Sequence, residues 1–257
     1  MSIAKLFDLT GKAAIITGGA NGIGKATALL LAKAGANIAI GDFKPEEAEK
    51  VAREIQNLGV KAIAVACNVL KDEDLVNLVN AAVEELGGVH ILINNVGGGG
   101  GGRENPFKIT TDEFKRIFEL NVFSTWRLCQ LCVPHMKRAG YGSIVITTSM
   151  LGINKSPNMS AYASSKAAVN HMVANLAHDF GPEVRINAVG PGATRTAALE
   201  SVLTPEIEEK MLAHTPIKRL GYAEDIAGAM LYFASPISEW VSGQTIFVNG
   251  GGVQTLE

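Results

Sequence analysis

The chain has 257 residues, 47% of them hydrophobic and 19% charged, with a formal net charge of −2. That length and balance suit one large globular domain, able to bury a core without disulfides or a structural metal. Charges of both signs are interspersed, and the absence of a basic stripe or a long charged tail argues against nucleic acid as a partner.

The first residues, MSIAKLFDLTGK, contain no basic stretch followed by a long apolar run, and no apolar run reaches bilayer length. Three cysteines, Cys67, Cys129 and Cys132, are too few and too odd for a disulfide framework. These features predict a cytoplasmic protein with no membrane partner. Cys129 and Cys132 form a CxxC pair inside a helical pattern rather than just after a strand, with no further ligands in sequence reach. The pair is read as helix packing. The five histidines lack paired ligand spacing, so no metal is expected.

Along the chain, β-branched runs at 13–17, 37–42, 62–67, 91–95, 143–148, 185–189 and 245–249 predict seven strands. Amphipathic stretches at 23–34, 46–58, 73–86, 111–136, 161–180 and 223–233 predict the helices between them. Such alternation implies an α/β, doubly wound, mostly parallel sheet of Rossmann type, covered by helices on both faces. Residues 197–213 depart from the rhythm. Thr204-Pro205 reads as a cap and first-turn proline that split them into two short helices. Leu199, Leu203, Ile207 and Met211 recur every fourth residue there and predict an apolar lid, at about residues 195–215, on a single domain.

After the first strand comes TGGANGIG, in which Gly18, Gly22 and Gly24 cluster where strand becomes helix. Glycines at that turn let a pyrophosphate approach the backbone, and the helix amino end offers free N–H donors. The spacing differs from GxGxxG, and a plain tight turn would also use glycines. Asp42 ends the second strand, 18 residues beyond Gly24, where a carboxylate would accept bonds from an adenosine ribose and repel a 2′-phosphate. With no arginine directly following, the pattern points to NAD over NADP.

Tyr162 and Lys166 are four apart on a predicted helix and share a face. A nearby ammonium favours the tyrosinate, which makes a phenol usable as a base at neutral pH. Ser149, at the end of the fifth strand, can orient a substrate oxygen. Tyr-x-x-x-Lys alone also describes an ordinary helix face; Ser149 and the upstream glycine turn narrow it.

Taken together, Thr17-Gly18…Gly22-Ile23-Gly24, Asn94-Asn95-Val96-Gly97, Asn121, Ser149, Tyr162, Lys166 and Pro191-Gly192…Thr196 resemble the short-chain dehydrogenase/reductase family nearly end to end. The resemblance implies Tyr162 as general base, Ser149 orienting substrate, Lys166 holding the nicotinamide ribose, and Asn121 supporting a water chain. It implies cofactor contacts from Gly18, Asn21, Gly22, Ile23, Gly24, Asp42, Phe43, Asn68, Val69, Asn95, Val96 and Gly97. Pro191, Gly192, Thr194, Arg195 and Thr196 would join them, beside Tyr162 and Lys166 themselves. Val96 stands where the family usually has alanine, and Asn68 where it often has aspartate.

Six consecutive glycines at 97–102 follow the fourth strand at the ligand-binding edge of such sheets and leave room for a broad, rigid molecule. That loop, the segments TSMLGINKSPNMSAYASSK and TPEIEEKMLAHTPIKRLG, and the tail GGGVQ resemble the bacterial 7α-hydroxysteroid dehydrogenase branch of the family. This resemblance implies NAD-dependent oxidation of a bile-acid or steroid 7α-hydroxyl to 7-oxo, with Asn154 beside Ser149 and Tyr162 at the substrate. The family is also commonly tetrameric, and the small and apolar residues on helices 111–136 and 161–180 would suit subunit packing. A 3-oxoacyl carrier-protein reductase shares the same motif set. So does another short-chain alcohol or sugar dehydrogenase, whereas a catalytically idle nucleotide-binding scaffold is a remote alternative that the intact Ser149, Tyr162, Lys166 and Asn121 set opposes.

Overall fold

In the computed structural model, residues 2–99 and 104–252 are described. Seven strands, β1 (Ala13–Thr17), β2 (Asn37–Asp42), β3 (Ala62–Ala66), β4 (Ile91–Asn94), β5 (Gly142–Thr147), β6 (Val184–Pro191) and β7 (Thr245–Val248), form one sheet. Their spatial order is β3-β2-β1-β4-β5-β6-β7, and every pairing is parallel. The helices are α1 (Ile3–Leu6), α2 (Gly22–Lys33), α3 (Pro45–Gln56), α4 (Asp72–Leu86), α5 (Thr111–Phe118), α6 (Ser124–Ala139), α7 (Ser160–Phe180), α8 (Ala197–Glu200), α9 (Pro205–Ala213) and α10 (Ala223–Ala234).

Each inner strand is buried on both faces, which is why β1 reads as an unbroken apolar run rather than an alternation. Two cores result. Ile15, Leu78, Leu92, Ile144 and Val173 pack on one side of the sheet; Ile16, Leu31, Ile40, Val145 and Phe233 pack on the other. Cys129 and Cys132 are fully buried in the first, and burial pushes the Cys129 thiol up to about 12, so both act as small hydrophobes. All three cysteines are free and buried. Among the described residues, no group of three or more His, Cys, Asp or Glu could hold a metal ion, and no helix is long and apolar enough to cross a membrane.

The strand order reverses between β1 and β4, and there the carboxyl ends of neighbouring strands splay into a crevice. Thr17 stitches that edge. Its hydroxyl donates to Asn94 Oδ1 (3.0 Å) and accepts from the N–H groups of Asn95 (3.0 Å) and Val96 (3.3 Å).

Two elements differ from the sequence expectation. The helix foreseen over 111–136 is two helices joined by a π-helical turn, Glu119–Phe123. The extra residue in that turn accompanies a buried Asn121, whose amide is committed to Gly98 of the loop after β4 and to Ser165 of α7, and hydrophobic periodicity does not report such a local shift. The insertion does split at Thr204, whose hydroxyl accepts the Ile207 N–H (3.3 Å). However, α8 ends at Glu200, so the four-residue period breaks: Leu199, Ile207 and Met211 reach the cleft below them, and Val202 takes the place expected of Leu203.

Candidate active site

A cleft of about 740 Å³ runs along the carboxyl edge of the sheet, from Asp42 and Phe43 at one end to Leu199, Ile207 and Met211 at the other. Its floor at the nucleotide end is the β1–α2 turn. Gly18 and Gly22 both have positive φ, +65° and +53°, a conformation that disfavours any side chain. A Cβ on Gly24 would overlap the Gly18 carbonyl, so α2 can start this close to β1 only with glycine there. Asn21 precedes the helix in an extended conformation and makes no side-chain cap, and the first turn contains no acid, so the N-cap side chain leaves the first-turn N–H groups uncovered.

Asp42 is buried where β2 ends. Its two oxygens accept the N–H groups of Ala20 and Lys44, both at 3.0 Å, which fixes the carboxylate while each oxygen keeps a second lone pair. Positive helix end, glycine floor and fixed carboxylate fit a dinucleotide: diphosphate on α2, ribose hydroxyls on Asp42.

At the centre of the cleft lie Ser149, Tyr162 and Lys166. Ser149 follows β5 and lies within hydrogen-bonding reach of the Tyr162 phenol. Tyr162 and Lys166 sit one turn apart on α7, with the Lys166 ammonium 5.8 Å from the centre of the tyrosine ring. Lys166 is almost fully buried, donates to the Thr147 carbonyl at 2.9 Å, and is pushed down to about 8 by burial. Tyr162 is raised above its ordinary value of 10.0, mostly by burial; the Ser149 hydrogen bond opposes the rise and the Glu104 charge adds to it. The expected acidification of Tyr162 by Lys166 is therefore not seen in the protein alone, where burial, Ser149 and Glu104 set the phenol. The ammonium is turned to Thr147, and the phenol is desolvated.

The loop after β4 lies across these side chains. Gly98 pairs with the Asn121 amide in both directions, N–H to Oδ1 at 2.9 Å and Nδ2 to carbonyl at 2.8 Å, while Nδ2 also reaches Ser165 Oγ at 2.9 Å. Asn121 thus ties the glycine loop to α7. A Cβ on Gly97 would meet the Lys166 ammonium at 2.8 Å, and one on Gly99 the Tyr162 ring at 2.6 Å. The rest of the glycine run, Gly100 to Gly102, lies outside the described residues.

Of the residues foreseen at the site, Gly18, Asn21, Gly22, Ile23, Asp42, Phe43, Asn95, Val96, Gly97, Ser149, Tyr162, Lys166, Pro191, Gly192, Thr194 and Thr196 line the cleft. Gly24 and Asn121 support it from behind. Asn68, Val69, Asn154 and Arg195 are not on its wall. The Asn68 side-chain oxygen accepts the Leu70 N–H at 3.1 Å instead. The Arg195 guanidinium pairs with Glu200 of α8 (2.8 Å) and Glu208 of α9 (2.6 Å). Asn154 Nδ2 is buried behind the wall without a partner. Sequence reasoning missed Glu104, Thr147 and Ser156. Glu104 follows the glycine run with no motif of its own, and Thr147 acts through its backbone carbonyl.

Residues 18–252 match the family described as Enoyl-(Acyl carrier protein) reductase. The chain is 50% identical to 7α-hydroxysteroid dehydrogenase of Escherichia coli, over 96% of each chain. The chain belongs to the short-chain dehydrogenase/reductase family. Another relative, the 3-oxoacyl-acyl-carrier-protein reductase FabG of Thermotoga maritima, is 33% identical over 95% of this chain and 98% of its own. A solved structure of 7α-hydroxysteroid dehydrogenase complexed with NADH and 7-oxo glycochenodeoxycholic acid superposes with a TM-score of 0.95 at 48% identity, covering 100% of each chain. The seven-stranded sheet of this chain brings Ser149, Tyr162 and Lys166 to one cleft.

Proposed function

We propose that this short-chain dehydrogenase/reductase interconverts a bile-acid or steroid 7α-hydroxyl and the 7-oxo group, with NAD as its nucleotide. The observation that carries the reading is the joining of two halves in one cleft: a polar nucleotide end closed by Asp42, and an apolar end roofed by Leu199, Val202, Ile207 and Met211 beside Tyr162. The likeness to the Escherichia coli and solved 7α-hydroxysteroid dehydrogenases supports the substrate class.

Ser149 holds the substrate oxygen against the Tyr162 phenol, and Tyr162 takes the hydroxyl proton as general base. Such positioned proton transfer is worth about 10²–10⁴ in rate. Lys166, charged below about pH 8, holds the nicotinamide ribose and adds positive charge near the phenol. A bound oxidised dinucleotide supplies the hydride acceptor and a positive ring that favours the phenolate. Asn121 keeps the glycine loop closed over Lys166. In reduction Tyr162 returns the proton.

The same reading takes the whole chain as one domain with residues 195–215 as its lid, and as a cytoplasmic homotetramer. A 3-oxoacyl reductase is the second reading, supported by the match to FabG, but a fixed Asp42 carboxylate disfavours a 2′-phosphate. Initial rates with cholate and 3-oxoacyl thioesters, each with NAD(H) and NADP(H), separate the two. The expected result is cholate turnover with NAD; thioester reduction with NADPH and inert cholate would overturn the proposal.

A further inference from the structure

Glu104 is the first described residue after the glycine run, and only 3% of it is exposed. Its Oε2 accepts the backbone N–H groups of Ala161 (2.7 Å) and Tyr162 (3.2 Å), the opening residues of α7. Its own N–H donates to the Asn158 carbonyl at 3.1 Å. Asn158 has a φ of 56°, which turns the chain sharply just before α7. The helix has no cap of its own: Met159 at its N-cap makes no side-chain bond, and its first turn contains no acid. A carboxylate 57 residues upstream supplies both the missing acceptor and the negative charge that a helix amino end favours.

The glycine loop is thereby closed at both ends on one helix. Its start, Gly97–Gly99, lies against Lys166 and Tyr162, and its far end is bonded to the amide of Tyr162 itself. Resting on the function proposed above, we infer that Glu104 is a positioning residue: it fixes the start of the Tyr162 helix from the substrate loop, and its charge opposes formation of the Tyr162 phenolate. Among the described residues, few charged groups lie against Tyr162. Lys166 comes from its own helix and Glu104 from the loop, while the turn after β5 presents the neutral Ser149. In α5 and the π turn, Asp112, Glu113, Lys115, Arg116 and Glu119 are exposed, and Arg185 of β6 is bonded to Ser238 and to the Phe233 and Val241 carbonyls. Burial raises the phenol and the Glu104 charge raises it further. Removing that charge therefore favours the phenolate, and alcohol oxidation, which needs the base, begins at lower pH.

The test uses the full-length enzyme and Glu104→Gln, which keeps an acceptor oxygen and loses the charge. The acid limb of the pH profile of kcat/KM for cholate oxidation is expected to move down by about half a unit or more, with NAD affinity within about twofold of wild type. A limb that coincides with the wild-type limb overturns the inference. Hydrogen exchange on the unmodified protein gives a second readout: the Ala161 and Tyr162 amides are expected to be protected, and exchange at the rate of an open helix end overturns the cap even if the variant does not fold. Tyr162→Phe serves as the control. If it retains turnover, the proposed reaction itself fails; if it is inactive and the Glu104→Gln limb is unmoved, only the role of Glu104 fails.

Discussion

Gly99 shows how much of this site rests on an absent side chain. A methyl group there would press on Tyr162 ring and Cβ atoms at 2.6–2.7 Å, closer than any real contact. Gly99→Ala is expected to lower kcat about 10–100-fold by displacing the ring or the loop, with nucleotide affinity unchanged, as steady-state kinetics and NADH titration would show. Lys166 carries the opposite kind of cost. Its ordinary value of 10.5 falls to about 8, so between those limits the unfolded chain holds a proton that the folded one has released. Stability attributable to this group is lowest below about pH 8 and recovers as pH rises toward 10.5, a span worth about 3 kcal/mol. Lys166→Met loses the bond to Thr147, about 1 kcal/mol. It is expected to be inactive yet at least as stable as wild type in urea at pH 7; a clear loss of stability would contradict the assignment. That Ser149, Tyr162 and Lys166 would meet in one cleft was legible because their spacing is fixed by one strand end and one helical turn. Glu104 was not legible, since a carboxylate that caps a helix 57 residues away leaves no local pattern.

Between residue and fold, the 197–213 insertion is the informative element. Arg195 was expected to contact the cofactor, because it stands inside a motif whose neighbours line the cleft. Its side chain instead spans α8 and α9 through Glu200 and Glu208, which sequence proximity alone does not distinguish from a cleft contact. These pairs are partly exposed, so each contributes little and is weakened by salt. Arg195→Ala is expected to raise the KM for a steroid alcohol about threefold to tenfold, with little change in kcat. It should also flatten the rise of KM with ionic strength expected of the intact enzyme. Equal salt dependence in both proteins would mean that α8 and α9 keep their places without this clamp. The split at Thr204 was visible in advance because a hydroxyl followed by proline is a strong local start signal. The face presented by Val202 was not, because it depends on where α8 stops.

At the scale of the molecule, the parallel sheet was legible almost strand for strand. Strands buried on both faces make continuous apolar runs, and right-handed crossovers leave few ways to order them. Assembly is less determined, because a helix face packed on a core and one packed on a second chain share the same periodicity. Phe123 and Trp126, at the start of α6, are exposed to 57% and 45%, and Trp240 is fully exposed. Light scattering is expected to give about four times the mass of one chain, and Trp126→Glu to shift it to smaller species; a monomer in both would refute the tetramer. The π turn at Glu119–Phe123 has a consequence of its own. It inserts one more residue than a straight helix from α5 into α6 would carry, and one residue is about 100° of rotation. A single-codon deletion there would leave every side chain chemically intact while turning α5 about its axis and swinging Asn121 out of register with Gly98. The surplus residue works as an angular spacer, and its loss would be a misalignment rather than a missing group.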